Sequence, residues 1–166
     1  MLLYNRRTFL LGAGALGLLA ACGFSPVYGP GGGGDMLLGE IALDAPDTRE
    51  GYLLTQRLEE RLGRGLGGRY ALSYATRVTS EGLGTTSAGS TTRYQLIGTV
   101  EYTLKDAATG AVLSTRDTSA FAGYSATGSN VATLAARRDT MERLMVILAD
   151  QMVDQLLLWA TGQAAQ

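Results

Sequence analysis

Residues 92–105, TRYQLIGTVEYTLK, decide the fold. Tyr94, Leu96, Val100, Tyr102 and Leu104 share one parity, with Gly98 among them. Arg93, Gln95, Thr99, Glu101 and Thr103 take the other. A period of two is that of a strand with one buried and one open face. Residues 69–79 repeat the pattern, with Tyr70, Leu72, Tyr74 and Val78 against Ser73, Arg77 and Thr79. Between the two lies a polar Gly/Ser/Thr run, residues 80–91, which reads as a mobile hairpin connection. On the other side, residues 106–110 turn the chain and 111–124 form a fourth, less regular strand.

Further out, residues 36–43 read as the first strand, with Leu37, Ile41 and Leu43 on one face and Pro46 ending it. Asp47-Thr48-Arg49-Glu50 opens a helix in a capping-box-like pattern. Leu54, Leu58 and Leu62 are its buried stripe, Arg57, Glu59, Glu60 and Arg61 its solvated side, and Gly63, Gly65, Gly67 and Gly68 its stop. The last helix begins within 130–134 and runs to about Trp159. Met141, Leu144, Met145, Leu148, Met152, Leu156 and Trp159 form its stripe. Asp139 and Arg143 are spaced to pair at i, i+4. Ile147, Val153, Leu157 and Leu158 lie off the stripe: either the core face is broad, or the surplus meets a protein partner. The order β-α-β-β-β-α predicts an α+β two-layer sandwich, a four-stranded mostly antiparallel sheet with two helices on one face. Its other sheet face is rich in Thr, Ser, Arg, Gln and Glu and suits water or a wet protein surface.

The N-terminus carries an address. Arg6 and Arg7 form a positive n-region, and residues 9–19 (FLLGAGALGLL) an apolar h-region. Such a run is too short to span a hydrocarbon core of about 30 Å, but right for a signal peptide. Leu19-Ala20-Ala21-Cys22 then reads as a lipobox, cut before Cys22, the sole cysteine. Arg6-Arg7-Thr8-Phe9-Leu10 looks like a twin-arginine export motif, although Leu11 stands where Lys is usual. The general secretory route stays open beside it. Gly23, rather than Asp, favours the outer membrane. A lipoprotein cysteine carries two or three acyl chains, and each buried methylene contributes about 0.8 kcal/mol, so the anchor is stable. Beyond the signal no second apolar run of transmembrane length is expected. Residues 24–34 (FSPVYGPGGGG) read as a tether, flexible at its glycine end, reaching about 20 Å as a coil. The chain divides into a signal peptide at 1–21, a lipidated N-terminus and tether at 22–34, the α+β domain at 35–162 and a tail at 163–166.

Composition narrows the function. The chain has 14 Lys+Arg and 15 Asp+Glu; losing Arg6 and Arg7 leaves 12 basic against 15 acidic residues, a balance of −3. That is no footprint for nucleic acid. The chain has no His, and its one Cys is assigned to lipid. This excludes Ser-His-Asp and Cys-His nucleophilic sites and the usual His/Cys metal sites. No phosphate-binding G-x-x-x-x-G-K-[ST] loop occurs. Glu59 and Glu60 are adjacent, hence splayed by about 100° on a helix, which is poor for joint acid–base work. No catalytic site, metal or cofactor is expected beyond the acyl groups on Cys22.

Three stretches resemble the lipopolysaccharide-assembly LptE family in its alphaproteobacterial form. Cys22-Gly23-Phe24-Ser25-Pro26-Val27-Tyr28 is similar to that family's mature N-terminus. Arg93-Tyr94-Gln95-Leu96-Ile97-Gly98-Thr99-Val100 is similar to its third strand. Ala132-Thr133-Leu134-Ala135-Ala136-Arg137-Arg138-Asp139 is similar to the start of its last helix. The resemblance implies a non-catalytic outer-membrane lipoprotein, facing the periplasm. It would plug and help assemble the large β-barrel LptD and support lipopolysaccharide insertion into the outer leaflet. Arg137 and Arg138 are the first candidates for contact with anionic lipopolysaccharide, because Arg binds phosphate bidentately; Arg77, Arg93 and Arg116 come second. The acidic balance fits the plug role better than it fits direct lipopolysaccharide binding. Two other readings stand beside this one. The first is a stand-alone lipid- or ligand-binding envelope lipoprotein, an auxiliary of a transport system. The second is an envelope hydrolase working through Glu59, Glu60, Glu81 and Glu101.

Overall fold

The structure, a computed structural model, describes residue 29 and residues 32–85, 89 and 91–164. The signal peptide and the lipobox with Cys22 lie outside the described residues, as does the tether up to residue 28. The elements run β1 (Ile41–Leu43), α1 (Arg49–Leu62), β2 (Tyr70–Thr85), β3 (Thr91–Asp106), β4 (Val112–Ser125) and α2 (Asn130–Ala164). They form the expected α+β sandwich: a four-stranded sheet in the order β1-β2-β3-β4, with β1 parallel to β2 and the rest antiparallel.

The alternation in β3 places Leu96, Gly98, Val100, Tyr102 and Leu104 against the helices. Gly98 lets α2 lie close: a Cβ there would stand 2.7 Å from Leu148 Cδ1 and 3.2 Å from Leu144 Cδ2. Thr48 caps α1, its Oγ1 accepting from the Gly51 N–H at 3.0 Å. Leu54, Leu58 and Leu62 are buried as their spacing predicts.

Four expectations change. First, the strand over 36–43 shrinks to three residues. Gly39 (φ 74°) turns the chain, and Leu37 enters the core from a turn rather than a strand. Second, β2 continues through Thr85, so half of the polar connection is strand. Main-chain pairing with β3 holds it there without an apolar face, across a bulge between Gly82 and Thr85. Third, the glycine end of the tether is docked. Gly33 and Gly34 are buried, and a Cβ on Gly33 would lie 2.6 Å from Thr161 N and 2.7 Å from its Oγ1. A run of glycines reads as free chain, but only glycine allows this approach. Fourth, α2 is long and apolar enough, by length and composition, to cross a membrane, contrary to expectation. Packing explains its apolarity. The helix buries one side on the sheet and another on α1, so Val153 and Leu157 are core beside the predicted stripe. Leu158 alone of the off-stripe residues is strongly exposed, at 73%. The broad core face, not a partner surface, accounts for the rest.

Charged groups tie the helices together. Asp150 on α2 receives Arg57 through Nε (3.0 Å) and Nη2 (3.1 Å), and Arg61 through Nη1 (2.7 Å). Burial pushes the Asp150 carboxyl up, but the two guanidinium groups outweigh it and hold it below the usual carboxylate range. Arg143 turns to the Gly123 carbonyl (3.3 Å) and Thr140 Oγ1 (3.3 Å), away from the expected partner Asp139. Gln155 reaches the Asp117 carbonyl at 3.5 Å and accepts from the Tyr102 hydroxyl at 2.6 Å. Burial raises the Tyr102 phenol to about 12. Two carbonyls of the edge strand β4 are thus covered by α2, one way of blunting a sheet edge.

Candidate functional site

The sheet face away from the helices is uncovered, and the register fixes its rows. Ser73, Thr103 and Thr115 lie side by side, then Ala75, Glu101 and Asp117, then Arg77, Thr99 and Ser119, then Thr79, Ile97 and Phe121. The face is polar as expected, save for Ala75 and the neighbours Ile97 and Phe121. Phe121 sits on it 68% exposed beside Ile97. The irregular pattern of β4 hid this aromatic; its parity relative to Ala120 and Ala122 was the available signal.

The five candidate arginines do not form one cluster. Arg137 and Arg138 are exposed on the first turns of α2, which begin at Asn130 behind a Ser129 side chain that accepts from the Ala132 N–H at 3.2 Å. Arg93, also exposed, joins them at the same end, because it pairs with Ser125, four residues before Ser129. This far end also exposes Leu83 (59%), Val131 (79%) and Leu134 (47%). Arg77 stands mid-sheet on the open face. Arg116 does not share their parity. It lies opposite Tyr102, on the helix side, at the sheet edge. Strand 4 is displaced in register by its turn, so parity counted along the sequence misassigns it.

The carboxylates have structural partners or none in common. Glu59 accepts from Arg64 Nε (2.9 Å) and Glu60 from Arg57 Nη1 (3.2 Å), so adjacent residues point apart. Glu81 and Glu101 stand on the open face opposite Gln95 and Ala75. Among the described residues no group of three or more His, Cys, Asp or Glu could hold a metal ion. A groove of about 300 Å³ runs beside β1, lined by Leu43, Thr55, Glu59, Arg64 and Leu66 among others.

The chain matches the family model for lipopolysaccharide assembly, LptE, over residues 38–156. No curated protein matches it. Among solved structures, one described as a lipoprotein from Caulobacter crescentus CB15 is 25% identical. It covers 78% of this chain and 97% of its own, with a TM-score of 0.66. The rare lipoprotein B of Shewanella oneidensis is 13% identical over 70% of this chain and 91% of its own, with a TM-score of 0.55. A minor lipoprotein from Acinetobacter baumannii is 19% identical over 71% and 88%, with a TM-score of 0.52. The last two share the fold with this chain. Fold, element order and the matched span agree: the chain belongs to the lipopolysaccharide-assembly LptE family of envelope lipoproteins.

Proposed function

We propose that this chain is acylated on Cys22 and anchored in the outer membrane, facing the periplasm. There it seats in and helps assemble an LptD-type β-barrel that inserts lipopolysaccharide into the outer leaflet. The family match over residues 38–156 carries the reading. The open sheet face supports it, since four rows dominated by Thr, Ser and charged side chains suit the hydrated lumen of a large barrel. The protein acts by contact, not catalysis. Its carboxylates are engaged in ion pairs or spread over an open sheet, with no shared geometry for acid–base chemistry. If lipopolysaccharide touches the domain, the far end is the place. Arg137, Arg138 and Arg93 accompany exposed Leu83, Val131 and Leu134 there, an amphipathic match for phosphorylated lipid.

Affinity capture of the full chain from membranes tests the reading. A large outer-membrane barrel should come down with it, and depletion should leave lipopolysaccharide behind in the inner membrane or periplasm. Recovery of the chain without any barrel overturns the plug role and favours a lipoprotein that works alone. Mass spectrometry should find acyl groups on Cys22. Charge reversal at Arg137 and Arg138 should weaken lipopolysaccharide binding while leaving barrel capture intact.

A further inference from the structure

The two edges of the sheet are finished differently. β1 is three residues long, and the 63–68 loop lies over it, so close that a Cβ on Gly65 would stand 2.4 Å from Ile41 O. β4, at the other edge, runs for 14 residues and contains neither Pro nor Lys, residues that commonly block an edge. The ladder fixes which of its groups are left over. The Ala126 N–H donates to the Thr92 carbonyl at 2.8 Å. Bonded pairs alternate along an antiparallel ladder, and the register runs unbroken from Arg93–Ser125 to Leu104–Ser114. Even-numbered residues from 114 to 124 therefore bond to β3, and odd-numbered ones aim their N–H and C=O groups out of the sheet edge. Gln155 and Arg143 accordingly reach the carbonyls of Asp117 and Gly123 from outside. Between those two caps, the N–H and C=O groups of Ser119 and of Phe121 have no partner among the described residues.

The side chains around this window add chemistry to it. Phe121 is exposed beside Ile97 on the open face. Asp117 faces Glu101 across β4 and β3, and neither carboxylate has an ion pair among the described residues. Like charges directly opposite each other are destabilising, and a cation placed beside them relieves the repulsion. A second copy of the chain brings no such cation. Pairing β4 with β4 keeps the open face continuous, and the odd positions from Leu113 to Ser125 hold no Lys or Arg; Arg116 has the other parity.

We infer that the middle of β4 accepts an added strand, an extended segment of the barrel protein itself. This deepens the plug reading above and rests on it. The segment comes from a loop or a terminal stretch, because the wall strands of a closed barrel are already paired on both sides. It takes the four open main-chain groups of Ser119 and Phe121, and main-chain pairing supplies the affinity. Side chains on the open face supply the choice of sequence. The segment carries a cation beside Asp117 and an apolar residue beside Phe121, four positions apart, with polar residues flanking them. The four-stranded sheet becomes five-stranded, and the domain is held in the lumen in one orientation.

Amide hydrogen exchange tests this on the full acylated chain, alone in detergent and bound to its co-expressed barrel. Alone, the Ser119 and Phe121 amides should exchange fast while those of Ala120 and Ala122, bonded to β3, are protected. In the complex, the first two should slow to the rate of their neighbours. Ser119→Pro removes one outward donor without touching the β3 ladder, and proline is tolerated at such edge positions. It should lower barrel recovery about fivefold or more, as losing one hydrogen bond predicts, whereas Ser119→Ala should not. Asp117→Thr should lower recovery too. The exchange measurement uses the unaltered chain, so it decides the matter even where the proline weakens folding. A barrel complex in which both amides exchange as in the chain alone overturns the strand addition and leaves the plug reading intact. Protection that appears without the barrel and grows with chain concentration assigns the edge to a second copy, and also overturns it. A chain that recovers no barrel overturns the plug reading, and this inference with it.

Discussion

The first turns of α2 and its last turns belong to one helix and two environments. Val131 and Leu134 stand 79% and 47% exposed, beyond the sheet, whereas Leu156 and Ala160 are within 1% of full burial. The glycines at the two ends of the domain differ in the same way. Gly33, Gly65 and Gly68 sit where another backbone leaves no room for a Cβ. Gly84, in the far hairpin, has nothing nearer than 3.8 Å. Gly33, Gly65 and Gly68 are thus packing residues, whereas Gly84 is a strand residue of low demand; a Cβ on the nearby Gly82 would be approached only by a side chain, Thr91 Cγ2 at 2.9 Å. The near end is built to hold one shape; the far end is free to present side chains.

Leucine truncation should show the largest contrast. Leu156→Ala empties a core position and should cost about 2–5 kcal/mol, against no more than about 0.5 kcal/mol for Leu134→Ala, both read by urea denaturation. Equal losses would break the distinction between the two parts of the helix. Next comes glycine replacement. Gly68→Ala forces its Cβ into the Glu40 backbone and should cost about 1–3 kcal/mol, while Gly84→Ala should be nearly neutral. Melting temperatures of the pair would check this.

The Asp150 cluster sits between the two ends and should contribute less. Asp150→Asn removes the shared partner of Arg57 and Arg61 and should cost up to about 1 kcal/mol at neutral pH, the pair being part-exposed. Because this carboxyl is held below its unfolded value, its stabilisation is present above that value and disappears as pH falls through the folded one. The variant should therefore show a shallower acid limb in stability against pH, converging with the parent at low pH. The smallest effect should be a gain. Glu101 and Asp117 face each other directly across β3 and β4, like charges on an open face. Asp117→Thr should stabilise the domain by about 0.2–1 kcal/mol in the same denaturation assay.

These contrasts also explain what the sequence could tell. The alternation in β3 and the start of α1 within residues 47–50 were legible because each depends on neighbours one turn or one pleat away, although the cap itself is Thr48 bonded to the Gly51 N–H. The extension of β2 to Thr85 was not, because a strand held by main-chain pairing outside the core needs no apolar parity. Docking of Gly33 on Thr161 joins residues far apart in the chain and leaves no mark but the glycine itself. Leu157 and Val153 read as surplus because a helix buried against two layers breaks the single-stripe pattern. Of the candidate arginines, Arg137 and Arg138 were placed correctly on the helix start, while Arg116 needed the register to find its face.

The edge-on contact of Trp159 with Tyr70 makes the molecule optically lopsided. Its single tryptophan reports on the tether end alone. Intrinsic fluorescence will follow release of the α2 terminus from the sheet and stay silent while the far turns fray. Circular dichroism, which counts every helical turn, will register that fraying first. An unfolding experiment that overlays the two signals therefore measures how independently the two ends of this protein come apart, with no label added.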